Sequence, residues 1–283
     1  MIEKLTVTIV VNNFLDESKL WAEHGLSLLI NFSSHGIEKK ILLDTGQSGD
    51  IFAHNLETLK ANLDNLMAIV ISHGHYDHTG GLLTLLRLLR RNTPVIVHPE
   101  VWGPRLNKKP YLRTISSGLT SSDIENAGGE VIEVANPVFL TKEILTTGTI
   151  ERVEPLERND SLLRVFNQQL LNDDVLDDQS LIINLGEQGL FLVTGCCHAG
   201  IINTVKHAQK ITGNSKINGI IGGLHLVDAS EKRLKKTSEY LRKISPQIII
   251  PLHCSGLEES FYLRQMVGDN VKFFGTGEEI SIM

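Results

Sequence analysis

Residues 69–81 read Ile69-Val70-Ile71-Ser72-His73-Gly74-His75-Tyr76-Asp77-His78-Thr79-Gly80-Gly81, an apolar strand that runs straight into three histidines and an aspartate. Side chains alternate across a strand, so His73 and His75 face one side, where both imidazoles can hold a single ion at about 2.0–2.1 Å. Asp77 and His78 fall where the chain turns, diverge from that pair and suit a second ion. Gly74 and the pair Gly80-Gly81 give the backbone freedom to fit a strand end, a ligand loop and a helix start into so few residues. Any one of these histidines alone reads as a hydrogen-bonded core or surface residue. Four potential ligands directly after an apolar strand have no packing purpose, and merely burying them would cost desolvation.

The rest of the composition is that of an ordinary globular chain. Its 283 residues carry 27 Lys+Arg against 33 Asp+Glu, a net charge of −6, with 41% hydrophobic residues, which excludes disorder as the main state and allows a sizeable core. A mildly acidic chain lacks the basic stripe of a general nucleic-acid binder. No apolar run approaches the roughly 18 residues that a membrane span needs. The run Leu5 to Val11 is short for a secretion signal and no small-residue cleavage site follows it. Three cysteines, Cys196, Cys197 and Cys254, are an odd count with two adjacent, a poor disulfide framework, so a reducing cytoplasm is expected.

Up to about residue 98, β-branched runs alternate with helical stretches, the grammar of an α/β protein. Leu5–Val11, Leu26–Phe32, Lys40–Leu43, Ala68–Ser72 and Val95–Val97 read as strands, and Asp50–Leu63 and Gly81–Arg91 as helices. From about 180 onward the grammar repeats: strands Leu181–Asn184, Leu190–Thr194, Ile217–Ile221, Gln247–Leu252 and Val271–Phe274, with helices from Ile201, over Ser230–Ile244 and from Leu257. Between about 99 and 179 periodicity weakens and polar, Gly, Pro and Asn residues accumulate, as in a loop-rich insertion over an active site. The whole is expected to be one domain, residues 1–283.

His73-Gly-His75-Tyr-Asp77-His78 resembles the His-x-His-x-Asp-His signature of the metallo-β-lactamase superfamily. The resemblance implies an αββα four-layer sandwich of two β-sheets flanked by helices, with one or two metal ions bound between the sheets. Asp44-Thr45-Gly46, otherwise simply a turn, resembles the family's first motif, whose aspartate supports the metal loop from behind. His253, in Pro251-Leu252-His253-Cys254, matches the family's last histidine and would complete the site of Asp77 and His78. Leu190 to Gly195 resembles the strand that ends in Thr-Gly-Asp with a bridging aspartate, yet position 196 is cysteine. The family's separate upstream histidine is also missing, since its neighbourhood reads Asp177-Asp178-Gln179-Ser180-Leu181. His198 is the natural substitute and would join His73 and His75; Cys196, if ionised, would bind or bridge the ions, or else packs as a small hydrophobe like Cys197.

Gly195-Cys-Cys-His198-Ala-Gly200, Gly222-Gly223-Leu224-His225 and Pro251-Leu-His-Cys-Ser-Gly256 resemble the branch named for the dihydropterin-ribofuranosylaminobenzene-phosphate synthase of methanopterin biosynthesis, which also holds many metallo-hydrolases. His225, beside two glycines, is a candidate substrate contact or a structural histidine. The leading expectation is a hydrolase of a phosphorylated or ester-containing small molecule. It would use water activated at a dinuclear zinc site, with iron or manganese as alternatives and Asp77 as both ligand and catalytic group. A pyrophosphate-displacing synthase acting on a dihydropterin, an iron-dependent oxidoreductase and a non-catalytic metal-binding protein are the other readings. Arg105, Lys108, Lys109 and Arg113 around Tyr111 would grip a phosphate and stack a ring, or form a solvated face. Lys232, Arg233, Lys235 and Lys236 read as the solvated face of an amphipathic helix.

Overall fold

The computed structural model describes residues 2–15, 19–34, 36–158 and 161–283. In chain order the first elements are β1 (Ile2–Val11), β2 (Ser27–Ser34), β3 (Ile37–Leu43), α1 (Gly49–Thr58), β4 (Leu66–Val70), α2 (Tyr76–Thr79), α3 (Leu82–Leu89) and β5 (Thr93–Val97). Then follow β6 (Arg105–Asn107), β7 (Arg113–Thr114), α4 (Ser121–Asn126), β8 (Gly129–Glu133), β9 (Ile144–Thr146), β10 (Leu162–Phe166) and β11 (Gln169–Asn172). The last are β12 (Ser180–Asn184), β13 (Leu190–Thr194), α5 (Ile201–Thr212), β14 (Ile217–Gly223), α6 (Glu231–Ile244), β15 (Ile248–Leu252), α7 (Leu257–Val267) and β16 (Glu279–Ser281).

The chain forms two compact units. The N-terminal unit, Ile2–Ala135 with Asp160–Asp177 and Gly275–Met283, holds a seven-stranded sheet in the order β16-β1-β2-β3-β4-β5-β8. Strands β1 to β3 pair antiparallel, and β3, β4, β5 and β8 run parallel. One core of this unit joins Leu42, Ile69 and Val95 from the sheet to Phe52, Leu56, Leu82, Leu85 and Leu86 from α1 and α3. The leucine spacing that marks α3 therefore does what it implies: Leu82, Leu85 and Leu86 are buried while Leu88 is exposed. Helix α1 stops at Thr58, short of the expected Leu63, because the chain turns back through Lys60 at a left-handed φ of +50°. There the Ala61 N–H donates to the Leu56 carbonyl.

The C-terminal unit, Asn136–Asn159 and Asp178–Phe274, holds a five-stranded sheet ordered β15-β14-β13-β12-β9. Its β13, β14 and β15 run parallel, and their near-continuous apolar sequences are buried at every position but the half-buried Ile248, as strands covered on both faces must be. Helices α5, α6 and α7 supply Val205, Leu241 and Leu263 to its core.

Two expectations need correction. The stretch from 99 to 179 is not merely loops: β6, β7, β10 and β11 build a four-stranded antiparallel sheet within the N-terminal unit. These strands are short and largely exposed, so they carry too few buried positions to show a period. The strand expected at Val271–Phe274 amounts to a single bridge between Val271 and Ile249. The final strand is instead β16, antiparallel to β1, whose only buried side chain is Ile280. One apolar residue in three gives no pattern to read.

Candidate metal centre

In the N-terminal unit the parallel strand β4 ends at Val70 and the chain passes through His73, Gly74 and His75 into the one-turn helix α2. His73, His75, Asp77 and His78 are all buried. As the alternation rule requires, His73 and His75 meet: Nε2 of one lies 2.9 Å from Nδ1 of the other. The His78 ring sits 4.3 Å from that of His73, and Asp77 Oδ2 lies 3.8 Å from His78 Nε2. Burial together with the neighbouring His78 and His75 rings pushes the His73 pKa well below its ordinary value, so the ring is held neutral, the form in which imidazole binds a cation.

Asp44 organises this loop from behind. It is fully buried, with its backbone in the left-handed region at φ +59°, beyond the end of β3. Its Oδ1 accepts the Ser72 N–H at 2.7 Å; Oδ2 accepts the Ser72 hydroxyl at 2.7 Å and lies 2.6 Å from His78 Nδ1. A buried carboxylate offers only acceptors, so the His78 proton sits on Nδ1 and leaves Nε2 a lone pair. The Ser72 hydroxyl, committed to Asp44, accepts from His73 Nδ1 at 2.9 Å, which likewise frees His73 Nε2. Two ring nitrogens 2.9 Å apart, one fixed as an acceptor, are reconciled by a shared proton or by a cation. That is the fit expected of metal ligands.

Glycines make the close packing possible. A Cβ on Gly74 would fall 2.0 Å from the Val101 carbonyl oxygen, and one on Gly80 1.8 Å from that of Gln47. The Gly74 N–H donates to Asp177 Oδ2 at 2.8 Å. Asp177 is in turn held by Arg105, 2% exposed, whose Nη2 lies 2.8 Å from Asp177 Oδ1 and whose Nη1 lies 3.4 Å from Asp173 Oδ2. The expected role of Arg105 in a solvent-facing phosphate grip is thereby corrected, because its charge is spent inside the protein, steadying the metal loop. Lys108, Lys109, Tyr111 and Arg113 remain exposed.

In the C-terminal unit the carboxyl ends of β13, β14 and β15 deliver Cys196 and His198, His225, and His253 and Cys254. Cys197, His225 and His253 all adopt left-handed φ, at +61°, +45° and +48°. Such strain in non-glycine residues gathers where a site dictates the backbone. The His198 loop is fastened on both sides: the Ala199 N–H donates to Asp178 Oδ2 at 2.9 Å, and Arg152 Nη1 donates to the His198 carbonyl at 3.2 Å. The His198 and His225 rings lie 4.2 Å apart. Cys254 Sγ donates to the Cys196 carbonyl at 3.2 Å. Burial would raise the Cys254 thiol pKa, but interactions with the Cys196 and His225 side chains outweigh it and draw the pKa well below its ordinary value. Burial pushes the Cys197 thiol up, and that side chain bonds to Thr204 at 3.3 Å, so Cys197 packs as expected.

Residues 39–142 match the model of a beta-lactamase superfamily domain. The chain is 34% identical over 260 residues, 89% of its length and 88% of the relative's, to the 7,8-dihydropterin-6-methyl-4-(beta-D-ribofuranosyl)-aminobenzene-5'-phosphate synthase of Methanocaldococcus jannaschii. The chain belongs to the metallo-β-lactamase superfamily. An uncharacterised protein of the same archaeon is 31% identical over 276 residues, 98% of this chain and 100% of that one. The superfamily fold is shown by the crystal structure of Tm1679, a metal-dependent hydrolase of the beta-lactamase superfamily, with a TM-score of 0.81 at 22% identity over 98% of both chains.

Sequence reasoning missed several parts of the site. His24, from the β1–β2 connection, places Nε2 3.2 Å from Asp77 Oδ2 and is largely open to solvent. Asp177 and Asp178, noted only as standing where a histidine was sought, brace Gly74 and Ala199 respectively. Arg233, expected on a solvated face, is buried with its charge beside Glu157.

Glu157 holds the start of α5, just beyond His198. Its two oxygens accept the Ile202 and Asn203 N–H groups at 2.9 and 2.8 Å. Desolvation outweighs these bonds and raises its pKa from 4.5 to about 7. The folded state thus holds this proton more tightly than the unfolded state, so stability falls as pH rises from about 4.5 through about 7. The loss amounts to about 3 kcal/mol at about 1.36 kcal/mol per pKa unit. Urea unfolding of metal-stripped protein at pH 5 and pH 8 is expected to show that decline, and Glu157→Gln to flatten it at lower overall stability. An undiminished slope in the variant would assign the effect elsewhere.

Proposed function

We propose that the chain is a metal-dependent enzyme that cleaves a bond to oxygen in a phosphorylated or ester-containing small molecule, with water as the attacking group. The observation that carries this reading is the buried loop from His73 to His78, whose ring nitrogens are aligned by Asp44 and Ser72 and whose His73 imidazole is kept neutral. His198 and His253 would complete two sets of ligands, His73 with His75 and His198, and Asp77 with His78 and His253. Nitrogen and carboxylate donors suit two zinc ions, with iron or manganese as alternatives. When bound, such cations supply Lewis-acid charge that acidifies a water and stabilises a departing oxygen.

The chain's own groups do the remaining work. Asp44 and Ser72 fix the tautomers of His78 and His73, so no proton competes at Nε2. Asp77 is both ligand and proton acceptor, and the exposed His24 beside it offers a proton a path to solvent. Lys108, Lys109, Arg113 and Tyr111 are exposed and suited to a phosphate-bearing ring. No Gly-x-Ser-x-Gly elbow or Walker loop competes with the metal loop for the chemistry.

A second reading rests on the 34% identity to a synthase. The same site would assist departure of pyrophosphate from a dihydropterin while an arylamine, in place of water, attacks.

One experiment separates these readings. Protein stripped by a chelator is expected to lose turnover of phosphomonoesters, phosphodiesters, lactones and thioesters, and to regain it with Zn²⁺ or Mn²⁺. Release of pyrophosphate only when an arylamine is supplied would favour the synthase. Turnover that survives verified metal removal, or two bound ions with no turnover of any of these, would overturn the proposal.

A further inference from the structure

We propose that the C-terminal unit carries its own soft-cation site, formed by the thiolates of Cys196 and Cys254 and the imidazole of His225. These residues stand at the carboxyl ends of three neighbouring parallel strands, β13, β14 and β15, with the His225 strand in the middle. The crevice beyond such strand ends is where parallel sheets receive ligands. Each residue presents one donor atom, and the three donors lie within 4.8 Å of one another. Tetrahedral zinc, at about 2.3 Å from sulfur and about 2.0–2.1 Å from nitrogen, needs donor separations of about 3.5–3.8 Å. Side-chain rotation of about 1 Å closes the set.

The three loops are tied to each other, so the donors are held as a group. The Gly223 N–H donates to the Gly195 carbonyl at 2.8 Å, joining the loops of His225 and Cys196. The Leu224 N–H donates to Ser255 Oγ at 2.9 Å, and the Val227 N–H to the Cys254 carbonyl at 3.2 Å, joining those of His225 and Cys254. Gly223 is bare where a Cβ would fall 2.7 Å from Cys254 Sγ, so the sulfur occupies the space a side chain would take. Both thiols are buried and neither is in a disulfide.

Two thiolates and an imidazole are the donors of zinc, cadmium and cobalt, and each thiol gives its proton to solvent as the cation enters. Three protein donors leave a fourth position open. In this assignment Cys196 is a partner of Cys254 rather than a bridge between histidine-bound ions, and His225 is a ligand rather than a substrate contact. The site lies wholly within one unit and does not depend on the histidine loop.

Full-length protein, metal-stripped under reductant and titrated with Co²⁺, is expected to develop a near-ultraviolet thiolate-to-cobalt band. The band should vanish in Cys254→Ser, persist in Cys197→Ser, and persist in His73→Ala/Asp77→Ala, which removes the histidine-loop ligands. No band at saturating Co²⁺ would overturn the proposal. So would a band that survives Cys254→Ser but is lost with His73, since Cys196 would then serve the histidine set. Should Cys254→Ser fail to fold, Cd²⁺ on the unaltered protein is expected to slow alkylation of Cys196 and Cys254. Equal labelling with and without Cd²⁺ would refute the site.

Discussion

Replacing His73 with alanine is expected to weaken metal binding at the histidine loop and activity together, by more than about 100-fold each, while the chain stays folded. Changes to residues that only hydrogen-bond a metal ligand lose about 10–100-fold, and His73 is proposed as a ligand itself. Its Nε2 is the nitrogen freed by Ser72 and lies 2.9 Å from His75 Nδ1. Stability of the apo protein is expected to fall, because truncating a fully buried ring leaves a cavity and removes its bond to Ser72. Asp77→Ala should behave alike. Elemental analysis, steady-state rates and circular dichroism on the same samples check this; retention of both ions in either variant would remove that residue from the site.

The second large effect belongs to Asp44. Asp44→Ala leaves the Ser72 N–H, the Ser72 hydroxyl and the His78 Nδ1–H without their acceptor in a fully buried setting. Leaving each such buried donor unsatisfied costs about 1–3 kcal/mol. The left-handed φ of Asp44 adds to the strain that alanine would feel, since a short polar side chain tolerates that region better. Asp44→Asn keeps the shape and most of the stability but loses the charge that fixes the His78 tautomer, so metal affinity is expected to fall by about 10–100-fold. Denaturation midpoints and competitive zinc titration separate the two variants. Equal zinc affinity in Asp44→Asn and the parent would show that the carboxylate does not govern the loop.

The parts of this protein that local pattern controls were readable in sequence. The leucine face of α3 shows a 3.6-residue period, while the stretch at 69–81 and the parallel strands β13 to β15 show as short apolar runs running into loops, and each formed close to its expected bounds. The Asp44 role was readable only through family resemblance, because Asp-Thr-Gly alone is a turn. What escaped is non-local. Arg105 reads as one cation in a basic run, and only its pairing with Asp173 and Asp177, far along the chain, explains its burial. Arg233 was placed outside by the Leu234–Leu241–Ile244 face, whereas α6 buries Arg233, Thr237, Ser238 and Leu241. A polar buried face defeats an argument from apolar spacing. Cys254 carried no signal of its own, since its neighbours arrive from two other strands.

The central claim is that the ligands from the two sequence halves gather around the same cations. Anomalous diffraction from zinc-loaded crystals tests it most directly. Besides any peak at Cys196, His225 and Cys254, two anomalous peaks are expected, one within about 2.0–2.2 Å of His73, His75 and His198 and the other equally close to Asp77, His78 and His253. No zinc at either of these positions, or zinc coordinated by the 73–78 loop with no contribution from His198 or His253, would contradict the account.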